Sequence, residues 1–218
     1  MLPVQVLVLV KQPVPGRVKT RLSPPLTPDG AAAVATAAIE DTLAAVRAVP
    51  VARRVLVLDG TYPAEGFDLQ PQSDGPMDLR LAAAFDDAAA ASPLPALLVG
   101  MDTPQLGAGL LRRAVEALLA HPCVLGLAPD GGWWALGLRR PDGDLLRGVA
   151  TSRDDTGAQQ HARLVGAGLV PVLLPELRDV DTVEDARAVQ ALAPDSRFAT
   201  VLAGLLDAPA LRPGREPR

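Results

Sequence analysis

Short apolar runs alternate along this chain with longer alanine-rich segments. This alternation is typical of three-layer α/β folds, in which helices cover both faces of a mainly parallel sheet. The predicted strands lie near residues 4–10, 54–58, 96–100, 123–127, 133–138 and 170–174. The predicted helices lie near residues 28–47, 78–91, 107–120, 155–166, 182–192 and 196–206.

The length of the chain limits this organisation to one domain, because two full α/β domains do not fit into 218 residues. We place the domain at residues 1–207. The remaining segment, 208–218, contains three prolines and three arginines and is predicted to be a disordered tail.

The charge balance limits the partners that the protein can bind. Its 25 acidic residues outnumber 21 basic ones, and the net charge of -4 opposes binding to nucleic acid or to an anionic membrane. The opening apolar run leads into Lys11 rather than into a small-residue cleavage site, and no stretch approaches the roughly 20 apolar residues of a membrane span. The single cysteine, Cys123, lies in an apolar stretch, so we expect a core thiol in a cytoplasmic protein.

The segment 11–22 follows the first apolar run and gathers four cationic side chains around one glycine, Gly16. The four are Lys11, Arg17, Lys19 and Arg21. A glycine in a loop after a strand lets backbone amides approach an oxyanion, and fixed positive charges offset the charge of that anion. The segment is therefore either a phosphate-binding loop, with a nucleotide as the expected ligand, or a solvated turn that Leu22 anchors in the core.

A second feature is the apolar run 97–101, which leads directly into Asp102. Ligands of open α/β sheets bind beyond the carboxyl ends of the strands, so we expect Asp102 in the same crevice as the loop at 11–22. A carboxylate beside a phosphate site needs a cation, and Mg²⁺ commonly takes one or two carboxylates together with phosphate oxygens and waters. The alternative is that Asp102 only caps the turn at Pro104.

Two further carboxylates, Asp179 and Asp181, follow the last predicted strand. They are two residues apart and face the same way on an extended segment, so either is a candidate for the second metal ligand. Asp181 or Thr182 is also a candidate N-cap of the next helix, with Asp185 in the role of a capping box. Capping and metal ligation are compatible.

Asp130 lies between these acidic segments and is followed by Gly131, Gly132, Trp133 and Trp134. Paired glycines let a backbone approach a ligand, and an aromatic ring can stack on a sugar or a base. Adjacent residues of a strand point to opposite faces. We therefore expect one tryptophan to reach the crevice and the other to pack in the core.

Four motifs in this order resemble a known family. They are Lys11-x-Pro13-x-Pro15-Gly16-x-Val18-Lys19-Thr20-Arg21-Leu22; Gly100-Met101-Asp102-Thr103-Pro104; Asp130-Gly131-Gly132-Trp133 with Gly137-Leu138; and Asp179-Val180-Asp181-Thr182 with Asp185. The resemblance is to the DUF2064 family of GT-A-like proteins, members of the nucleotide-diphospho-sugar transferase superfamily that are described as CofC-like glycosyltransferases. It covers residues 2–190 and is more specific for the fold than for the substrate.

The resemblance implies a Rossmann-like GT-A domain with a mainly parallel mixed sheet, whose first loop holds nucleotide phosphates and whose acidic residues hold Mg²⁺ or Mn²⁺. Together with the residue chemistry above, it places nucleotide or phosphate binding at Lys11, Gly16, Arg17, Lys19, Thr20, Arg21 and Arg80. The expected metal ligands are Asp102 and Asp181, with Asp179 as the third candidate. The expected substrate-binding residues are Asp130, Gly131, Gly132 and Trp133. Lys19, Arg21 and Asp102 are the expected catalytic residues.

The chain departs from the family pattern in three places. A family segment of the type Gly-Asp-Leu-Gly-x-Arg reads Gly75-Pro76-Met77-Asp78-Leu79-Arg80 here. Trp133 stands in place of the usual tyrosine, and Ala150-Thr151-Ser152 in place of Trp-Ser-Thr. These differences indicate a reshaped acceptor or sugar pocket.

Two reaction classes agree with the motifs. In a glycosyltransferase, the cation and Lys19 or Arg21 stabilise the departing nucleoside diphosphate while a small-molecule acceptor attacks the anomeric carbon of a nucleotide sugar. In a nucleotidyltransferase of the CofC or molybdenum-cofactor guanylyltransferase type, a substrate phosphate attacks the α-phosphorus of an NTP and releases pyrophosphate. Family naming favours sugar transfer, whereas the dense basic loop suits a triphosphate. A non-catalytic nucleotide-binding protein is the third hypothesis. Separately, the alanine-rich helices are compatible with a homodimer.

Overall fold

The structure is a computed structural model that describes residues 1–207, and the predicted tail at 208–218 lies outside the described residues. Within residues 1–207, the strands are β1 (Leu2–Lys11), β2 (Val51–Asp59), β3 (Asp68–Pro71), β4 (Ala96–Gly100), β5 (Cys123–Leu127), β6 (Trp133–Leu138) and β7 (Val172–Leu174). The α-helices are α1 (Pro28–Arg47), α2 (Met77–Ala91), α3 (Ala108–Ala120), α4 (Thr156–Gly166), α5 (Val183–Leu192) and α6 (Arg197–Asp207). Two single-turn 3₁₀ helices lie in loops, at Thr20–Leu22 and Gly143–Leu145.

The strands form one sheet in the order β3-β2-β1-β4-β6-β5-β7. Strand β6 runs antiparallel to both of its neighbours, and the other pairs are parallel. The predicted mainly parallel mixed sheet is therefore confirmed. Because β6 is reversed, its first residues rather than its last lie at the edge where β1, β4 and β5 end.

The apolar residues of β1 alternate between two cores. Val6, Val8 and Val10 belong to a cluster that includes residues of α1 and α3, whereas Leu7 belongs to a cluster that includes residues of α2 and α4. All four side chains are fully buried. Helices on both faces of a parallel sheet require such continuous apolar strands, because both sides of each strand leave water. The three-layer prediction is confirmed.

Secondary structure agrees closely with the predicted pattern. The six predicted helices and six predicted strands all form, with boundaries displaced by at most a few residues. The short edge strand β3 was not predicted. Its four residues include Asp68 and Gln70, are mostly exposed and end in Pro71, so they carry little of the apolar pattern that identifies buried strands. No helix among the described residues is long and apolar enough to cross a membrane.

Candidate active site

A crevice of about 790 Å³ opens at the edge of the sheet where β1 and β4 end. Five segments surround it: the loop after β1, the residues after β4, the turn between β5 and β6, the residues before α4, and the residues before α5. Ligands of open α/β sheets bind at this position. The predicted residues that line it are Lys11, Arg17, Lys19, Thr20, Arg21, Arg80, Asp102, Asp130, Gly132, Trp133, Asp179 and Asp181.

Two predicted residues do not line the crevice. Gly16 lies in an exposed turn with φ 73°, and no atom is within 4 Å of the position that a Cβ would take. Gly131 has φ 88°, and a Cβ there would come within 1.8 Å of the carbonyl oxygen of Asp154. The turn geometry explains the first glycine, and close packing of two loops explains the second. Direct contact of either residue with a ligand stays a prediction.

Lys19 is at the centre of the charged end of the crevice. Its Nζ lies 2.6 Å from Oδ1 of Asp102 and 3.5 Å from Oδ1 of Asp181, and only 7% of its side chain is exposed. Burial by itself lowers the pKa of a lysine, but the surrounding carboxylates, chiefly Asp102, outweigh it, so the pKa of Lys19 is raised above 10.5. The side chain is therefore a permanent cation between two carboxylates.

The local sequence explains how Lys19 is directed inward. Val18 before it and Leu22 after it are buried, and the backbone N–H of Leu22 donates to the carbonyl of Lys19 over 2.9 Å in the 3₁₀ turn. Lys19 itself adopts a left-handed backbone conformation, with φ 47° and ψ 40°. A non-glycine residue reaches this region at a cost of roughly 1–2 kcal/mol, so the surrounding packing must hold it there.

Asp102 follows the end of β4 by two residues, and backbone contacts join it to the other acidic segment. The N–H of Val180 donates to the carbonyl of Asp102 over 3.0 Å. The Gln105 amide Nε2 donates to the carbonyl of Arg178 over 2.5 Å. These bonds hold the segment with Asp179 beside the end of β4, although the two are more than seventy residues apart in sequence. Gln105 had no recognisable signal in the sequence, because only the fold brings it to this segment.

The start of α5 resolves which residue caps this helix. Thr182 is the N-cap: its Oγ1 accepts from the Asp185 backbone N–H over 3.2 Å, and the Asp185 carboxylate accepts from the Thr182 N–H over 2.9 Å. The predicted capping box is confirmed. Asp181 consequently has no capping role, and its Oδ2 accepts a charged contact from Arg21 Nη1 at 3.2 Å.

Asp179 lies among carboxylates. Burial raises its pKa to about 6, and the nearby charges of Asp130 and Asp181 contribute to the same shift, while Lys19 acts in the opposite direction. Asp130 is itself held in its turn, because its Oδ1 accepts from the Gly132 N–H over 2.8 Å. The crevice therefore has an acidic wall, and Lys19 and Arg21 of the loop at 11–22 lie against it.

These carboxylates fit a hard divalent cation that takes some of its ligands from the protein and the rest from a substrate. Among residues 1–207, no group of three or more His, Cys, Asp or Glu side chains is arranged to hold a metal by itself. Asp102 and Asp181 supply two oxygen donors beside the loop at 11–22, and Oδ1 of Asp102 is buried with no aligned hydrogen-bond donor in the described part of the chain. Mg²⁺ and Mn²⁺ suit such a site, because phosphate oxygens and waters complete their coordination.

Other cations of the crevice are available to a ligand. Lys11 and Arg17 line the crevice and form no ion pair within residues 1–207. Arg80 approaches from α2, and its Nη2 contacts Oδ2 of Asp59 at 2.8 Å. The neighbouring wall is apolar, with Leu9, Met77, Leu81 and Leu98 among its residues. This wall had no recognisable signal in the sequence, because apolar residues that line a crevice resemble apolar residues of the core.

The two tryptophans divide as expected. Trp133 lines the crevice and packs against the cluster on the α2 face. Trp134 belongs to the opposite cluster, is 3% exposed, and donates from Nε1 to the carbonyl of Pro175 over 3.1 Å. Trp134 also borders the crevice, but its side chain is packed in the core. The loop before α4 also lines the crevice, and its Ser152 has a φ of 59°. Lys19 and Ser152 are the two non-glycine residues with a left-handed conformation among the described residues.

Several known structures have folds similar to the fold of this chain. A protein from Desulfovibrio desulfuricans G20, described as a "putative nucleotide-diphospho-sugar transferase", matches with a TM-score of 0.85 and 23% identity over 94% of this chain and 95% of that chain. Rv0371c from Mycobacterium tuberculosis H37Rv, in a complex with manganese, matches with a TM-score of 0.53 and 24% identity over 85% and 96%. The 2-C-methyl-D-erythritol 4-phosphate cytidylyltransferase of Thermus thermophilus matches with a TM-score of 0.51 and 21% identity over 87% and 98%.

At these identities the structural similarity establishes the fold, which is that of nucleotide-diphospho-sugar transferases and cytidylyltransferases. Among curated proteins, no sequence matches the chain. A family model described as "Uncharacterized protein conserved in bacteria (DUF2064)" matches residues 33–153, which is more than half of the chain. The protein therefore belongs to the DUF2064 family.

Proposed function

We propose that the protein is a metal-dependent glycosyltransferase that takes a nucleotide sugar as donor and a small molecule as acceptor. One observation carries the proposal: a cationic loop and a pair of carboxylates, Asp102 and Asp181, converge in a single crevice at the carboxyl edge of the sheet. A nucleoside diphosphate needs both elements. Its phosphates require cations and amide donors, and a bound divalent cation requires carboxylates.

Each wall of the crevice then has a role. Lys11, Arg17, Thr20 and Arg21 bind the phosphates, and Arg80 contacts the nucleotide from α2. Asp102 and Asp181 would hold Mg²⁺ or Mn²⁺, with Asp179 beside them, and a cation bound there would supply positive charge to offset the charge that develops on the departing diphosphate.

The acceptor binds on the opposite side, between the turn at 130–133 and the loop at 151–154, which both line the crevice. Trp133 offers an aromatic face to a sugar ring, and Asp130 offers an acceptor for a hydroxyl group. The acceptor hydroxyl oxygen attacks the anomeric carbon and gives its proton to the Asp130 carboxylate, and the bond from that carbon to the diphosphate breaks with its electron pair leaving on the diphosphate. Lys19 and Arg21 stay charged and stabilise the diphosphate as it leaves.

Two similar structures support this proposal. The Desulfovibrio desulfuricans protein, which covers nearly the whole chain, is described as a transferase of nucleotide-diphospho-sugars. The Mycobacterium tuberculosis protein forms a complex with manganese. Each property is transferred here by similarity of fold and by the chemistry of the residues in the crevice.

Nucleotidyl transfer is the second candidate, and it is favoured by Lys11 and Arg17, which form no ion pair among the described residues. They add two positive charges to a loop in which Lys19 and Arg21 already face the carboxylates, which suits a triphosphate. In this reaction a phosphate oxygen of the substrate attacks the α-phosphorus of an NTP, and the bond to the bridging oxygen breaks to release pyrophosphate. The similar cytidylyltransferase fold is consistent with it.

A thermal-shift panel separates these candidates. NTPs, nucleoside diphosphates and the common UDP-, GDP-, CDP- and dTDP-sugars are each tested with Mg²⁺, Mn²⁺ or a chelator. A ligand that binds only the folded protein stabilises it by about 2.7 kcal/mol at a hundredfold excess over its Kd. We expect a metal-dependent shift with one nucleotide sugar, whereas a shift confined to one NTP would favour nucleotidyl transfer. Binding without turnover of any donor would favour the non-catalytic hypothesis.

Turnover is then measured through the released product, which is a nucleoside diphosphate in one reaction and pyrophosphate in the other. Asp102→Ala and Lys19→Ala are each expected to reduce the rate by about a hundredfold or more, because one charge-stabilising group commonly supplies about 2.7–4 kcal/mol. Asp144→Ala is the matched control, since this carboxylate is 82% exposed and does not line the crevice. Activity within about threefold of the parent protein in both crevice variants would contradict the assignment.

A further inference from the structure

The ammonium group of Lys19 lies where a cation held by Asp102 and Asp181 would lie. It contacts one oxygen of each carboxylate, at 2.6 and 3.5 Å. The Asp102 side chain is 39% exposed, yet its Oδ1, the oxygen that faces Lys19, is buried. The buried oxygen therefore has the Lys19 ammonium as its ion-pair partner.

The choice of lysine at this position is unusual for this chain. The chain contains nineteen arginines and only two lysines, Lys11 and Lys19, and both belong to the first loop. A lysine ammonium is a compact point charge on a flexible stem, whereas a guanidinium binds carboxylates through a rigid fork. A lysine can therefore occupy a small cation position and leave it by rotation of its side chain alone.

The backbone around Lys19 is suited to this kind of movement. Val18 and Leu22 anchor the loop in the core, and the left-handed conformation of Lys19 is fixed by the 3₁₀ turn that follows. The loop thus has little freedom to move as a unit. The ammonium can leave the carboxylates by rotation of its four-carbon stem, toward the part of the crevice that Lys11, Arg17 and Thr20 line.

We propose that Lys19 is a resident counter-ion that competes with the divalent cation for Asp102 and Asp181. In the free protein the ammonium contacts both carboxylates and offsets part of their charge, and a metal ion binds only when the ammonium leaves them. A phosphate group in the crevice gives the ammonium another partner, so phosphate and metal bind with positive linkage. The linkage is reciprocal, because each ligand must change the affinity for the other by the same factor.

This proposal rests on the metal site of the proposed function, and it makes a prediction that the metal site alone does not make. Without Lys19, Asp102 loses its ion-pair partner, Asp181 keeps only its contact with Arg21, and the divalent cation no longer competes with an ammonium. Removal of the ammonium takes away a competitor that contacts both carboxylates, and a tenfold change in a binding constant corresponds to about 1.4 kcal/mol. Removal of Lys19 should therefore increase the metal affinity of the nucleotide-free protein by about tenfold or more.

The test measures binding of Mn²⁺ alone, without nucleotide, by electron paramagnetic resonance of the free ion. Lys19→Met is compared with the parent protein and with Lys11→Met. The second variant removes one positive charge from the same crevice but no contact with a carboxylate, so it controls for the general change in electrostatic potential. We expect the Kd for Mn²⁺ to fall by about tenfold or more in Lys19→Met and to change by less than about threefold in Lys11→Met.

Two results would overturn the proposal, and they differ in what they say of the function. Equal Mn²⁺ affinity in the parent protein and both variants would remove the competition but leave the metal site standing. Absence of Mn²⁺ binding in all three proteins at millimolar concentration would remove the metal site itself, and the metal dependence of the proposed function with it.

A second measurement needs no substitution at Lys19, which matters if Lys19→Met does not fold. Protein labelled with ¹³C only in lysine gives two ε-methylene signals, and Lys11→Met assigns them. On titration with Mg²⁺ we expect the Lys19 signal to shift as the ammonium leaves the carboxylates, while the Lys11 signal moves little. A Lys19 signal that stays in place at saturating Mg²⁺ would refute the displacement.

Discussion

Asp179→Asn is expected to stabilise the protein near neutral pH and to have little effect in acid. The carboxyl of Asp179 is partly buried and lies near the charges of Asp130 and Asp181, and these surroundings raise its pKa from 3.8 to about 6. The folded protein therefore keeps a proton on Asp179 between about pH 4 and pH 6, where the unfolded chain has already lost it. Unfolding then releases a proton, so the stability contributed by this group falls as the pH rises through that interval.

The size of the effect follows from the shift in pKa. A change from 3.8 to about 6 corresponds to about 3 kcal/mol for a fully buried carboxyl. Asp179 is only partly buried, and solvent screening reduces the expected effect to about 1 kcal/mol. Asparagine keeps the shape of the side chain but carries no charge. At pH 7.5 the free energy of unfolding of Asp179→Asn should exceed that of the parent protein by about 1 kcal/mol, and near pH 4 the two should agree.

The assay is urea unfolding followed by circular dichroism at several pH values between 4 and 7.5, in buffer with EDTA and fixed ionic strength. Asp185→Asn, on the same segment, is a control for which we expect a change in the free energy of unfolding of the opposite sign. Burial acts to raise the pKa of Asp185, but its bonds with Arg178 and Thr182 outweigh burial and lower the pKa. That group adds stability above about pH 4, which is lost in acid, so Asp185→Asn should destabilise the protein most at pH 7.5.

The reasoning about Asp179 would be refuted by a difference in stability between Asp179→Asn and the parent protein that is independent of pH. It would also be refuted if Asp179→Asn were the less stable protein at pH 7.5. Either result would mean that the acidic wall of the crevice is better solvated, or better neutralised by Lys19, than the geometry indicates.

Three glycine substitutions test the packing around the site, each measured as the free energy of unfolding in urea. Gly126→Ala would place a Cβ 2.4 Å from the buried ring of Trp134 and should cost about 1–3 kcal/mol; a change below about 0.5 kcal/mol would contradict the packing. Gly131→Ala combines a positive φ with a 1.8 Å approach to the Asp154 carbonyl oxygen, so it should cost a similar amount and weaken ligand binding at the acceptor side. Gly204→Ala is the matched control: this exposed position in α6 has no atom within 4 Å of the new Cβ, and helix propensity predicts a gain of about 0.5–1 kcal/mol. Equal effects at all three positions would refute the argument.

Most of the fold could be predicted because its elements have strong local signals. The apolar run in β1 and the alanine-rich run in α1 are long, and both form as predicted. Strand β3 was not predicted, because an exposed edge strand of four residues carries neither a buried apolar run nor a clear alternation. Its pairing with β2 is a property of the assembled sheet.

The candidate site was predictable in part for a different reason. Strand ends meet at one edge of a parallel sheet, so Lys11 and Asp102 could be placed together from their positions after two apolar runs. The same rule accounts for Asp130, because β5 also ends at that edge, but it does not place Trp133, which reaches the edge only because β6 runs in the reverse direction. It also does not identify Gln105, whose side-chain amide donates a hydrogen bond to the carbonyl of Arg178 in a segment distant in sequence.

The sequence by itself determined where the candidate residues of the site lie along the chain: a cluster of cations after the first strand, and carboxylates after two later strands. It also determined the helices and all strands except β3, because hydrophobic periodicity and capping act over a few neighbouring residues. Only the tertiary structure decided that the Lys19 ammonium sits between Asp102 and Asp181 and that Asp179 keeps its proton up to about pH 6. Both depend on distance and burial between segments that are far apart in the chain, and electrostatic interactions are set by those two quantities rather than by sequence position.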